Sequence, residues 1–122
     1  MIAPAKTRDL SPQWVKAALD AQEILLVDVR EPEEFVAEHI AGAVNYPLSR
    51  LDPDDLPSPA DRMMVLQCGS GKRSATAVDL CRKAGHTLDA HLAGGIGAWK
   101  AAGLATVATG GEAQAAAVRD RS

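Results

Sequence analysis

Short apolar runs alternate along this chain with segments whose apolar residues recur at helical spacing, and that alternation narrows the folds open to it. Ile24-Leu25-Leu26-Val27-Asp28-Val29 and Met63-Met64-Val65-Leu66-Gln67 are near-continuous apolar runs, the pattern of strands covered on both faces. Thr7-Arg8-Asp9-Leu10, Ala43-Val44-Asn45-Tyr46 and Leu88 to Leu92 are shorter strand candidates. Helices are expected between them over about 12–21, from Glu31-Pro32 to about Glu38, over about 73–84, and from Ile96 to Ala102. Ser11-Pro12 reads as N-cap and first helical position, since Ser accepts a bond from a free N–H and Pro has none to lose. Trp14, Ala17, Ala18 and Ala21 form the inward stripe expected of that helix. Gly85 stands where a left-handed residue ends a helix. The alternation predicts an α/β layered domain around a mostly parallel sheet.

At 122 residues the chain suits one domain. The segment 52–61, with three prolines and four aspartates, is expected as an exposed, solvated loop. Residues 1–6 are read as an N-terminal extension, 7–104 as the domain, and 105–122, rich in Ala and Gly, as a flexible or nascently helical tail. Thirteen Lys and Arg against sixteen Asp and Glu leave a net charge of −3, so no whole-chain basic field draws in nucleic acid or anionic membrane. Aromatic residues at 3% offer little for base stacking. No apolar run approaches the ~20 residues of a membrane span, and the N-terminus lacks a signal-peptide core, so a cytoplasmic location is expected. Cys68 and Cys81 are too few for a disulfide scaffold and are expected to stay reduced.

The segment Val65-Leu66-Gln67-Cys68-Gly69-Ser70-Gly71-Lys72-Arg73-Ser74 carries the chemistry. A buried strand feeds a tight turn and the turn feeds a helix, placing Cys68 where open α/β sheets bind ligands, outside the carboxyl ends of the strands. Gly69 and Gly71 let successive backbone N–H groups converge on one point. The free N–H groups at the start of the helix aim at the same place, and Lys72 and Arg73 add full charges. These effects favour thiolate over thiol, predicting a depressed pKa and a nucleophilic Cys68 in a cradle fit for an anion. The competing reading of a free cysteine, a small buried hydrophobe, does not account for the flanking glycines and cations. A nucleotide P-loop would need Gly at 66 and Ser or Thr at 73, where Leu66 and Arg73 stand, and a dinucleotide fingerprint after Gly95 would need a glycine in place of Lys100.

Three blocks together resemble a single-domain rhodanese, a thiosulfate or persulfide sulfurtransferase. They are Leu26-Val27-Asp28-Val29-Arg30-Glu31, continuing through Glu34-Phe35 to His39-Ile40-Ala41-Gly42-Ala43-Val44-Asn45-Tyr46-Pro47; the loop Cys68 to Ser74; and Leu92-Ala93-Gly94-Gly95-Ile96-Gly97-Ala98-Trp99. The resemblance covers roughly residues 7–104. It implies a rhodanese-like, five-stranded, mostly parallel sheet with helices on both faces. It implies a Cys68 that cycles between thiolate and persulfide, with Gly69, Ser70, Gly71, Lys72, Arg73 and Ser74 binding substrate. The partners implied are a small anionic sulfur donor and a thiophilic acceptor such as cyanide or a thiol, with a protein as an alternative acceptor; no metal or organic cofactor is needed. Related phosphatases and arsenate reductases place one residue more between Cys and Arg than the four found here. Cys-Gly-Ser-Gly also resembles the start of the mercaptopyruvate sulfurtransferase loop, but Lys72-Arg73 departs from its ending. A sulfur-relay or binding module acting with a protein partner remains an open alternative, and an oxyanion phosphatase or arsenate reductase a more distant one.

Outside the loop, Asp28 and Arg30 are spaced i, i+2 at a strand end and point the same way. Arg30 is expected to pair with Glu34 on the next helix and to support the site. His39 is read as structural through a backbone hydrogen bond, Cys81 as a packing residue, and Trp99 as a hydrophobic plug beside Gly94-Gly95. His86 and His91 show no metal-ligand spacing with either cysteine.

Overall fold

The computed structural model describes residues 7–109. Five strands form one parallel sheet in the order β1-β5-β4-β2-β3. They are β1 (Arg8–Leu10), β2 (Ile24–Asp28), β3 (Val44–Asn45), β4 (Met63–Gln67) and β5 (Ala90–Leu92). The helices are α1 (Pro12–Asp20), α2 (Pro32–Ala37), α3 (Lys72–Lys83) and α4 (Gly95–Ala101). The two strands with the longest apolar runs, β2 and β4, pair at the centre with Ile24 beside Met63 and Asp28 beside Gln67.

Both faces of the sheet are covered, as a parallel sheet requires. On one face, Val15 and Ala18 of α1 and Ile96 and Trp99 of α4 pack on Ile24, Leu26, Val65, Ala90 and Leu92. On the other, Ala77 and Val78 of α3 pack on Leu25, Val27, Val29 and Leu66, and Cys68 belongs to this layer. Alternate residues of β2 and β4 thus serve opposite layers, which is why neither run alternates with polar residues.

Two expectations are corrected here. Ser11 caps α1, its hydroxyl accepting from the Trp14 N–H at 3.1 Å, but the inward stripe lies one residue further on. Trp14 is 45% exposed while Val15 and Ala18 are buried: the branched aliphatic side chain fills the core and the indole lies at the surface. The tail is ordered at its start. His39 and Val107 exchange both backbone hydrogen bonds at 2.8 Å, Thr109 donates to the Val36 carbonyl, and Thr106 Oγ1 donates to Glu38 Oε2 at 2.6 Å. Residues 105–109 therefore satisfy backbone groups left open after α2. The expected extension over 1–6 and the rest of the tail, 110–122, lie outside the described residues. No described helix is long and apolar enough to cross a membrane.

Candidate active site

Cys68 follows β4 directly, so its sulfur lies at the carboxyl edge of the sheet's central strand. The next residues curl back: Gly71, at φ +100°, caps α3, and the helix begins at Lys72. The Gly71 N–H donates to Cys68 Sγ at 3.1 Å and the Ser74 N–H at 3.3 Å, while Ser74 Oγ stands 3.5 Å from the sulfur. Burial pushes the thiol pKa up, but the Ser74 hydroxyl and the backbone N–H groups of Ser74, Gly71 and Ser70 outweigh it, and the net shift is downward. The direction is the one the glycine-turn-helix pattern predicts, and the cause is hydrogen bonding to the charged form. Cys81, mid-helix in α3 and fully buried, moves the opposite way because it has only desolvation.

The loop carbonyls face outward, toward α4. Ile96 N–H donates to the Cys68 carbonyl at 2.8 Å and Gly97 N–H to the Gly69 carbonyl at 3.0 Å. This docking brings Gly95 so close that a Cβ on it would lie 2.1 Å from the Cys68 carbonyl oxygen, and its φ is +61°. Gly95 is therefore required twice over, by space and by backbone conformation. Among the described residues the backbone N–H groups of Lys72 and Arg73, the first two of α3, have no backbone acceptor, as expected of a helix start.

The side-chain cations differ in their settings. Lys72 is exposed and makes no ion pair with a described residue. Arg73 reaches from α3 to Glu34 on α2 as a two-pronged pair, Nη1 to Oε1 at 2.7 Å and Nη2 to Oε2 at 3.1 Å. The Arg73 guanidinium lowers Glu34 from 4.5 to about 2, against the upward push of burial, with the Glu31 N–H assisting. Arg73 passes over Gly69, where a Cβ would lie 3.1 Å from Nη2. The expected pairing of Arg30 with Glu34 is thus corrected. Arg30 folds back on Asp28 in the i, i+2 register, with Nη2 to Oδ2 at 2.8 Å, and both are buried. Its other contact, Nη2 to the Glu38 carbonyl at 2.6 Å, ties the end of β2 to the end of α2. Ser70 is exposed at the loop tip.

His39 Nδ1 meets the Phe35 carbonyl at 2.7 Å, matching its structural reading, and Trp99 is a buried plug whose Nε1–H donates to the Ala105 carbonyl. His91 is the residue that sequence reasoning missed. Its Nδ1 lies 2.7 Å from Ser74 Oγ and its Nε2 2.7 Å from Asp9 Oδ1. The link arises because β1 and β5 are neighbours with Asp9 in register beside His91, a pairing that no local motif encodes. Among the described residues no cluster of three or more His, Cys, Asp or Glu could hold a metal ion.

A parallel sheet covered by helices, with a loop at its carboxyl edge that turns N–H groups onto a cysteine, defines an α/β domain whose kin comparison with known proteins identifies. The family profile described as Rhodanese-like domain matches residues 11–102; the chain belongs to that family. It is 46% identical over 100 residues to an uncharacterized protein of Synechocystis, covering 82% of this chain and 56% of the relative. It is 39% identical over 98 residues to a probable adenylyltransferase/sulfurtransferase, MoeZ, of Mycobacterium tuberculosis, covering 78% of this chain and 25% of that protein. A sulfurtransferase of Allochromatium vinosum is 36% identical over 92 residues, covering 75% of this chain and 86% of the relative. The chain thus spans about half or less of the first two relatives. A rhodanese-related protein of Thermoplasma volcanium superposes with a TM-score of 0.68 at 29% identity, covering 82% of this chain and 97% of that one. A possible tyrosine phosphatase of Rhodopseudomonas palustris superposes with a TM-score of 0.70 at 28% identity, covering 83% and 85%.

Proposed function

We propose that this domain is a sulfurtransferase that carries a sulfane sulfur on Cys68. The observation that carries the reading is the convergence of the Gly71 and Ser74 N–H groups on the Cys68 sulfur, at 3.1 and 3.3 Å. Donors already aimed at a sulfur anion stabilise it without reorganisation. In the first half-reaction the thiolate attacks the outer sulfur of thiosulfate or of a persulfide. A bond forms between Sγ and that sulfur, the donor's S–S bond breaks, and the donor remnant leaves with the electron pair. For thiosulfate that remnant is sulfite. In the second half, cyanide or a thiol attacks the terminal sulfur and the pair returns to Sγ, a ping-pong cycle with no net redox change at the protein. The Lys72 and Arg73 N–H groups at the open end of α3 are the remaining donors for the terminal sulfur.

The MoeZ relative, whose name joins an adenylyltransferase to a sulfurtransferase, favours a second form of the reading in which a protein accepts the sulfur. The phosphatase description of the Rhodopseudomonas neighbour is met here by only four residues between Cys68 and Arg73, a ring sized to one sulfur better than to a phosphoryl group with three equatorial oxygens. The test is the intact mass of the protein after thiosulfate: a gain of one sulfur atom, removed by cyanide, is expected. An unmodified mass together with turnover of an aryl phosphate would overturn the reading.

A further inference from the structure

Cys68 is joined to the edge of the sheet by a lateral chain of side chains running beneath α3. Ser74 Oγ lies 3.5 Å from the sulfur, His91 Nδ1 lies 2.7 Å from Ser74 Oγ, and Asp9 Oδ1 lies 2.7 Å from His91 Nε2. The inner members are buried: Cys68 is 1% exposed, Ser74 0% and His91 6%. The outer one is open, the Asp9 side chain being 72% exposed. The chain therefore spans from a buried thiol to solvent, across β4, β5 and β1.

Its polarity follows from what each group can donate. A carboxylate only accepts, so Asp9 fixes a proton on His91 Nε2 and leaves Nδ1 of the neutral ring as a lone pair. The Ser74 hydroxyl has two acceptors in reach, that lone pair at 2.7 Å and the Gly71 carbonyl at 3.2 Å. Donating to the nearer one leaves Ser74 Oγ free to accept from the Cys68 S–H.

We propose that His91, held by Asp9, is a positioning residue that takes the Cys68 proton through Ser74. As the thiol ionises, its S–H bond breaks and the proton goes to Ser74 Oγ. The Ser74 O–H bond breaks in turn and that proton goes to Nδ1. The result is a thiolate and an imidazolium bridged by a serine hydroxyl that now donates to sulfur, with the Asp9 carboxylate balancing the ring. No electron is gained or lost. The proposal rests on the reading of Cys68 as the reacting thiol.

The other charged groups near the thiol are Arg73 on α3, which interacts electrostatically with Cys68, with its partner Glu34 on α2, and Asp28 at the end of β2, paired with Arg30. Around His91 stand Asp9 of β1 and Ser74 of α3, while α4 brings only backbone to the loop. Asp9→Asn separates the relay from simple charge effects, because the two predict opposite signs. Removing a distant negative charge on Coulomb grounds alone makes the thiol easier to ionise. Losing the relay makes it harder, because Asn no longer stabilises the imidazolium.

The experiment is the rate of Cys68 alkylation by iodoacetamide against pH, in a Cys81→Ser background with the fold checked by circular dichroism. Asp9→Asn, at an exposed position, is the fold-safe variant, and His91→Gln is the direct one. A rise of about one unit in the midpoint, read as about tenfold slower alkylation at neutral pH, is expected for both. A midpoint that is unchanged or lowered in folded Asp9→Asn overturns the relay. Alkylation needs no sulfur donor, so failure of the parent to take up sulfur would count against the functional reading while the alkylation profile still decides the relay.

Discussion

The sulfur of Cys68 receives hydrogen bonds from Gly71 and Ser74, and substitutions nearby separate reactivity from packing. Cys68→Ser is expected to abolish sulfur uptake, because a hydroxyl stays protonated at neutral pH where a thiolate does not. Cys81→Ser, at a buried site whose thiol is pushed toward the neutral form, is expected to keep most uptake; intact mass after thiosulfate reads both. Gly95→Ala would set a methyl against the Cys68 carbonyl at 2.1 Å. It is expected to lower stability by more than ~2 kcal/mol in urea unfolding and to slow Cys68 alkylation. Gly85→Ala has a left-handed φ of +95° but nothing within 4 Å, so it is expected to cost only about 1 kcal/mol. The loop that turns N–H groups onto Cys68 was legible because strand, glycine turn and helix start are all local features. The partner of Arg30 was not: whether it reaches forward to Glu34 or back to Asp28 depends on Arg73, which arrives from 39 residues away to occupy Glu34.

At the scale of elements, α2 and α3 are joined above the loop by Glu34 and Arg73, each about two-fifths exposed. Because Glu34 neutralises Arg73 beside the mouth, Glu34→Gln removes an anion and releases a cation there. The apparent KM for thiosulfate is expected to fall, while Lys72→Ala is expected to raise it, and added salt is expected to shrink both differences. The pair is also a pH-dependent clasp. Glu34 ionises at about 2 in the folded protein against 4.5 unperturbed. Its contribution is therefore fully present above 4.5 and is lost as pH falls toward 2. Given the exposure, that contribution is under ~1 kcal/mol. Acid unfolding of Glu34→Gln should differ from the parent by that small amount above 4.5 and converge with it below. The face of α1 was misread by one residue because alanines at 17, 18 and 21 mark the helix weakly. The weight given to Trp14 then turned the stripe away from Val15.

Across the whole molecule, residues 105–109 tie the end of the domain to its middle through Ala105, Thr106, Val107 and Thr109. A chain ending at Leu104 is expected to lose about 1–3 kcal/mol in urea unfolding relative to one ending at Thr109, from bonds individually worth about 1 kcal/mol. That segment looked like tail because it carries no apolar period; its order comes from backbone bonding, to which composition is blind. The α/β layering was legible from the alternation of runs. The neighbourhood of His91 was not, since Asp9 and His91 stand 82 residues apart and meet only once the order of strands is known. The outward bonds of the loop bear on when the chain becomes reactive. The carbonyls of Cys68 and Gly69 are occupied by Ile96 and Gly97, residues made after the cysteine. Until α4 docks, those two carbonyls lack the partners that hold them outward, and only the Gly71 turn and the start of α3 direct N–H groups at the sulfur. A chain in which α4 has not yet docked is therefore expected to hold Cys68 closer to an ordinary thiol, and a truncation before Gly95 is expected to alkylate more slowly at neutral pH than the finished domain.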